Sequence, residues 1–128
     1  MPSTRVSTGT WAQSCGLEVL EAVQGALVEA LQIPQNDRDI VLEVLDASHR
    51  IISPKRSDYF TRVEILLFSG RSLGAKRKLY AALVRNLSAL GVPAEQVKIV
   101  LIEVPTENWG LRGGVPASEI DLGFEIRV

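Results

Sequence analysis

Two positions in this 128-residue chain carry groups able to move a proton on a small acid. Pro2 stands directly behind Met1 in MPSTRVST. Removing Met1 would free a secondary amine. An ordinary α-amino group titrates at about 7.7–8.0, and burial or a nearby guanidinium lowers that value. A base poised near neutral pH can abstract a proton beside a carbonyl and return it elsewhere. The plainer alternative is that Pro2 only opens a strand, since a residue lacking an N–H is tolerated at a first or edge position. Arg71, in FSGRS, lies at an expected strand-to-helix junction. A helix N-terminus and a guanidinium both favour anions there. Arg71 therefore either holds a substrate carboxylate or pairs with a surface acid.

Other chemistries find less support. The sequence has no GxxxxGK[ST] loop, no GxGxxG and no GxSxG elbow. One cysteine and one histidine cannot build a zinc site from those ligands. His49 lies in a polar loop and reads as a surface histidine, and Cys15 reads as a structural thiol. Glu43, Glu64 and Glu103 each stand among apolar strand residues. A carboxylate there is costly to bury unless paired, and Arg5 and Arg62 are candidate partners. The basic run Lys76–Lys78 reads as a solvated helix face.

The elements that must position these groups follow from periodicity. TRVST alternates as a strand. WAQSCGLEVLEAVQGALVEALQ reads as a helix with Leu17, Leu20, Val23, Leu27 and Leu31 as its apolar stripe, ended by Pro34. RDIVLEVLDA and FTRVEILLFS are strands, joined by a polar loop with a short extended piece at Ile51 and Ile52. GRSLGAKRKLYAALVRNLSALG is a second helix, N-capped by Ser72, with Leu79, Leu83, Leu87 and Leu90 as its stripe. VKIVLIEVP is a strand, followed by a turn-rich segment and a terminal strand, FEIRV. The order is β-α-β twice, plus a tail. Shifted by 59 residues, QIPQNDRDIVL falls on GVPAEQVKIVL, and Pro2 falls on Thr61. One domain spanning 1–128 is expected, with repeats at 2–47 and 61–106 and a tail at 107–128.

Composition narrows the partners. The net charge is −1 with 46% apolar residues, and no basic stripe points to nucleic acid. No apolar run approaches the roughly 18 residues that span a bilayer, and no basic segment followed by an apolar one opens the chain. One cysteine fits a reducing compartment, so a cytoplasmic protein is expected. With 5% aromatic residues the core must rely on Leu, Val, Ile and Ala. A single sheet covered by two helices would leave one face open, to be covered by another subunit.

MP, the doubled βαβ, FSGRSLGAKRKLY and EVPTENWGLRGG together resemble the tautomerase superfamily typified by 4-oxalocrotonate tautomerase. The likeness runs over nearly the whole chain. It is nearest to the branch with two fused βαβ units, which includes malonate semialdehyde decarboxylase and cis-3-chloroacrylic acid dehalogenase. The resemblance implies an α+β fold: a four-stranded mixed sheet with two helices on one face. It implies a homotrimer whose sheets wrap a shared interior containing the strand glutamates. It implies cofactor-independent catalysis on a small carboxylate, with Pro2 catalytic, Arg71 binding the substrate and Asp37 assisting the proline. It sets Asn108, Trp109 and Arg112 in the segment that closes over the pocket. The decarboxylase branch carries a second arginine where this chain has Ser69, and the dehalogenase branch carries a first-helix histidine that is absent here. The leading expectation is a keto–enol tautomerase of small 2-keto or enol acids. The alternatives are a decarboxylase or hydratase acting through protonated Pro2, and a non-catalytic small-molecule-binding trimer.

Overall fold

The structure, a computed structural model, describes residues 2–128; removal of Met1 lies outside them. Four strands form the main sheet: β1 (Ser3–Thr8), β2 (Ile40–Val44), β3 (Thr61–Phe68) and β4 (Val97–Val104). Their order is β2-β1-β3-β4. The central pair β1–β3 is antiparallel, and each outer strand runs parallel to its inner neighbour. Helices α1 (Gly16–Leu31) and α2 (Leu73–Ser88) make the crossovers within each parallel pair. The fold is the expected α+β arrangement, a mixed sheet with both helices on one face.

Strand alternation sorts the residues by face. Val6, Val63, Ile65 and Leu67 point at the helices and are buried with Val23, Leu27 and Leu31 of α1 and Leu79, Leu83 and Leu87 of α2. The other face carries Arg5, Val41, Glu43, Arg62 and Ile102, all exposed. Arg5 pairs with Glu43 at 3.7 Å and Arg62 with Glu64 at 3.2 Å. Glu103 departs from the shared interior expected for the three glutamates. It sits beside buried Leu67 in the β3–β4 register, on the helix-facing side. There it forms an ion pair with Lys76 of α2. The run 76–78 is therefore only partly a solvated face: Arg77 and Lys78 are exposed, while Lys76 is half-buried.

Four local expectations need correction. The first helix begins at Gly16, because residues Thr10–Ser14 form a separate 3-10 turn and Cys15 breaks the helical path with φ −134° and ψ 34°. Asp58 pins that turn by accepting from Thr10 N–H at 2.9 Å, Thr10 Oγ1 at 3.0 Å and Trp11 N–H at 2.8 Å. Leu17, expected in the α1 stripe, is 77% exposed, and Val19 is buried. Ile51 and Ile52 form no strand, and Ile51 lies in solvent. The terminal FEIRV forms no strand either. Its Phe124 packs on Phe68, and the Val128 carbonyl accepts from Ser72 Oγ at 2.7 Å, which draws the segment over the start of α2. A two-stranded ribbon, β5 (Gly110–Leu111) with β6 (Val115–Pro116), forms upstream of it instead.

Candidate active site

The topology brings distant sequence segments to one end of the sheet. The first residue of β1, Ser3, pairs with Leu66 near the last turn of β3, and Thr4 N–H donates to the Asp39 carbonyl at 3.0 Å. Pro2, Asp37 and Arg71 therefore all flank that end. Pro2 is buried. β4 finishes at the same end, because Val104 pairs with Phe68, and it delivers Asn108 and Trp109 there.

Arg71 is the most unusual side chain of this group. It follows Gly70, whose φ of +125° suits a residue without Cβ, and it is only 6% exposed. Its Nη1 donates to the Phe68 carbonyl at 3.2 Å. Its Nε and Nη2 are buried and have no hydrogen-bond partner. A guanidinium with a bare edge can accept a carboxylate or an oxyanion in two parallel hydrogen bonds. Burial pulls the Arg71 pKa below its ordinary value, while the negative charges of Asp37 and Glu103 oppose that fall. No acid hydrogen-bonds this guanidinium, and it is not at the surface. Ser72 caps α2 immediately after it, accepting from Ala75 N–H at 3.1 Å, so the helix N-terminus adds to the positive field.

Asp37 lies in the turn before β2. Its N–H donates to the Pro34 carbonyl at 3.1 Å, and its own carbonyl accepts from Gln24 Nε2 at 3.0 Å. A cleft of about 450 Å³ opens beside it, walled by Asn36, Asp37, Leu111, Arg112, Leu122 and Phe124. Asp37 and Arg112, 75 positions apart in sequence, face the same space. Trp109 is half-buried, donates its indole N–H to the Val104 carbonyl at 3.2 Å and meets Phe68 edge-on at 5.1 Å. Asn108 is exposed on the 3-10 turn before it. Arg112 is exposed on the cleft rim.

His49 and Cys15 are remote from this site. His49 Nδ1 lies 2.9 Å from Asp46 Oδ1 in an exposed turn. Cys15 Sγ contacts the Trp11 carbonyl at 3.7 Å. Sequence reasoning missed Gln24. Its signal was a polar residue directly after Val23, four positions from both Leu20 and Val28 on the same helical surface.

A family model described as a tautomerase enzyme matches residues 37–112. The chain belongs to the tautomerase family. It is an enzyme of the tautomerase class. A probable tautomerase of Ralstonia nicotianae is 37% identical over 57 residues, 44% of this chain and 80% of the relative. The 2-hydroxymuconate tautomerase of Comamonas testosteroni is 36% identical over 58 residues, 44% of this chain and 90% of the relative. Each of these short tautomerases thus corresponds to less than half of the present chain. Among solved structures, a malonate semialdehyde decarboxylase inhibited by 3-bromopropiolate superposes with a TM-score of 0.81 at 25% identity, covering 92% of this chain and 97% of that one. A native fused 4-OT gives 0.80 at 22% identity, covering 92% and 98%. These likenesses run over the whole doubled βαβ fold of the tautomerase chain. No helix among the described residues is long and apolar enough to cross a membrane.

Proposed function

We propose that this tautomerase interconverts keto and enol forms of small 2-keto carboxylic acids without a cofactor, using the Pro2 amine, freed of Met1, as general base. The single observation that carries the reading is the bare, buried edge of Arg71 at the sheet end where β1 begins. The substrate carboxylate and its 2-oxygen take the Nε and Nη2 hydrogen bonds. Pro2 nitrogen removes a proton from the carbon beside the ketone, and the C–H electron pair forms the enolate double bond. Negative charge grows on the 2-oxygen, where Arg71 stabilises it. The protonated amine then returns its proton to that oxygen. Asp37 helps hold the proline, and Asn108, Trp109 and Arg112 cover the bound acid. The exposed sheet face with Val41 and Ile102 supports a homotrimer. A fused 4-OT of 24% identity is a symmetric trimer. The free thiol of Cys15 supports a reducing, cytoplasmic setting.

The test begins with the intact mass of untagged protein, which should lack one methionine. Ultraviolet turnover of the enol form of phenylpyruvate should then fall in Pro2→Ala and Arg71→Ala. Full retention of Met1, or an unchanged rate in Pro2→Ala, removes the amine from the mechanism. A second reading draws support from Asp37, because a carboxylate near an amine favours its protonated form. It also draws support from the likeness to a decarboxylase. In it, protonated Pro2 acts as an acid in decarboxylation or hydration of a three-carbon acid. The amine pKa separates the two: a depressed value fits the base and a raised one the acid.

A further inference from the structure

We propose that the segment Phe124–Val128 is a gate: it closes over the Arg71 seat, and the substrate anion enters when the segment swings away about Gly123. The inference rests on Arg71 being that seat. The unpartnered Nε and Nη2 of Arg71 are shut off from solvent in this structure. An edge that no water touches takes a carboxylate from solution only after something beside it moves.

The segment lies along the stretch that carries Arg71. Phe124 stacks on the Phe68 ring at 6.4 Å, and Ile126 Cγ2 lies 3.3 Å from where a Cβ on Gly70 would stand. The Val128 carbonyl accepts from Ser72 Oγ at 2.7 Å. Each partner stands 56 positions on, so the two stretches run side by side in one direction. Phe68, Gly70 and Ser72 bracket Arg71, and Phe68 supplies the carbonyl that holds its Nη1. Phe124 also shares the cleft wall with Asp37, whose charge reaches Arg71. The way in from that cleft passes the segment.

Its hold is light. Phe124, Ile126 and Val128 are half-buried while Glu125 and Arg127 are exposed, the alternation of an extended strap. It joins no sheet. Among the described residues, the Ser72 bond is the one hydrogen bond that reaches it from outside. A segment with few buried contacts and few bonds opens at low cost. Gly123, just before it, has φ +75° and open space where a Cβ would stand, so it can absorb the change of direction. Beneath the closed segment two guanidinium donors go unsatisfied, which favours opening while the seat is empty. A bound carboxylate removes that cost, and closure then strengthens its hydrogen bonds by excluding water.

Phenylglyoxal, a neutral reagent that adds to guanidinium groups, reads each arginine of the full chain when the modified peptides are weighed, with no need for turnover. Arg71 should react at least about tenfold more slowly than exposed Arg112, because reaction waits on local opening. Phe124→Ala should speed Arg71 by up to about tenfold, the shift that one aromatic contact carries in an opening equilibrium. Ile126→Ala, a smaller loss, should speed it also and serves alone if Phe124→Ala fails to fold. Arg50, half-buried against the Asp58 turn at the opposite end of β1, should keep its rate in both. Arg71 as reactive as Arg112 in the wild type, an Arg71 rate unmoved by the variants, or an equal rise at Arg50 overturns the gate. Saturating 2-oxobutanoate should protect Arg71 in the wild type. Absence of that protection, with the variants behaving as expected, instead removes Arg71 as the anion seat, and the role of the gate in substrate entry falls with it.

Discussion

Gln24, buried on α1, donates its side-chain N–H to the main-chain carbonyl of Asp37 at 3.0 Å. The bond ties the first helix to the turn that carries a proposed catalytic acid. Gln24 Oε1 is also buried and has no hydrogen-bond partner. A buried amide with half its capacity unused costs stability that a Met in its place would not. Gln24→Met should therefore keep the melting temperature within about 2 °C of wild type. The Asp37 turn loses its anchor, and kcat should fall about tenfold through misplacement. Steady-state kinetics beside a thermal melt checks both halves; a kcat equal to wild type would leave Gln24 with a packing role alone.

Arg71 should show a trade of stability for activity. Its guanidinium is buried with two donors unsatisfied, a cost of about 1–3 kcal/mol. Arg71→Met fills a similar volume without those donors. Denaturant unfolding should show a gain of that order, while kcat/KM for a 2-keto acid drops by about 100-fold or more. Arg71→Lys should recover little, since an ammonium cannot present the paired N–H edge.

Asp58 should control the entry to α1. Partial burial pushes its carboxyl up, but N–H bonds from Thr10 and Trp11, the Thr10 hydroxyl and the charge of Arg50 together hold it below the usual carboxylate range. A carboxyl with a lowered folded-state pKa stabilises above its unfolded value and loses that contribution as pH falls toward the folded one. Asp58→Ala should cost about 1 kcal/mol at neutral pH, the usual scale of a lost helix-entry cap. Below about pH 4, where the unfolded carboxyl protonates, the difference between variant and wild type should shrink. Urea melts at two pH values measure both effects.

The open sheet face supplies an assembly test. Ile102 is 39% exposed there, beside Leu66 in the strand register. If three sheets meet through this face, Ile102→Asp buries an unpaired charge, at a cost of several kcal/mol. Sedimentation should show a trimer in the wild type and a smaller species in the variant. Equal sedimentation of the two would place the interface elsewhere.

Much of the scaffold was legible because period and burial agree. In α2, Leu79, Leu83 and Leu87 recur at helical spacing and all are buried. Leu17 shows where that logic ends. It obeys the α1 period but falls in the first turn, beyond the sheet's cover, and periodicity carries no information on where a partner surface stops. FEIRV alternates like a strand, yet its hydrogen bond to Ser72 holds it over α2 rather than along a sheet edge. The site was legible in fewer parts. Arg71 was visible as a cation at a junction, but only the fold shows that it is buried with no acid bonded to it. The convergence of Pro2, Asp37 and Arg71 on one sheet end comes from strand pairing across dozens of residues, which local spacing does not encode. Glu103 stood out as a charge in an apolar strand, and its partner came from a helix rather than from Arg5 or Arg62.

The two tryptophans divide the molecule between them. Trp109 meets Phe68 beside the site, while Trp11 stacks near Tyr59 at 5.2 Å and donates to Thr8 Oγ1, at the opposite end of β1. The chain thus holds two intrinsic optical reporters with separate postings. With Trp11 replaced by Phe, the remaining emission follows the aromatic cover of the pocket. With Trp109 replaced, it follows the loosening of the far corner, so occupancy and unfolding can be read in one cuvette without any attached dye.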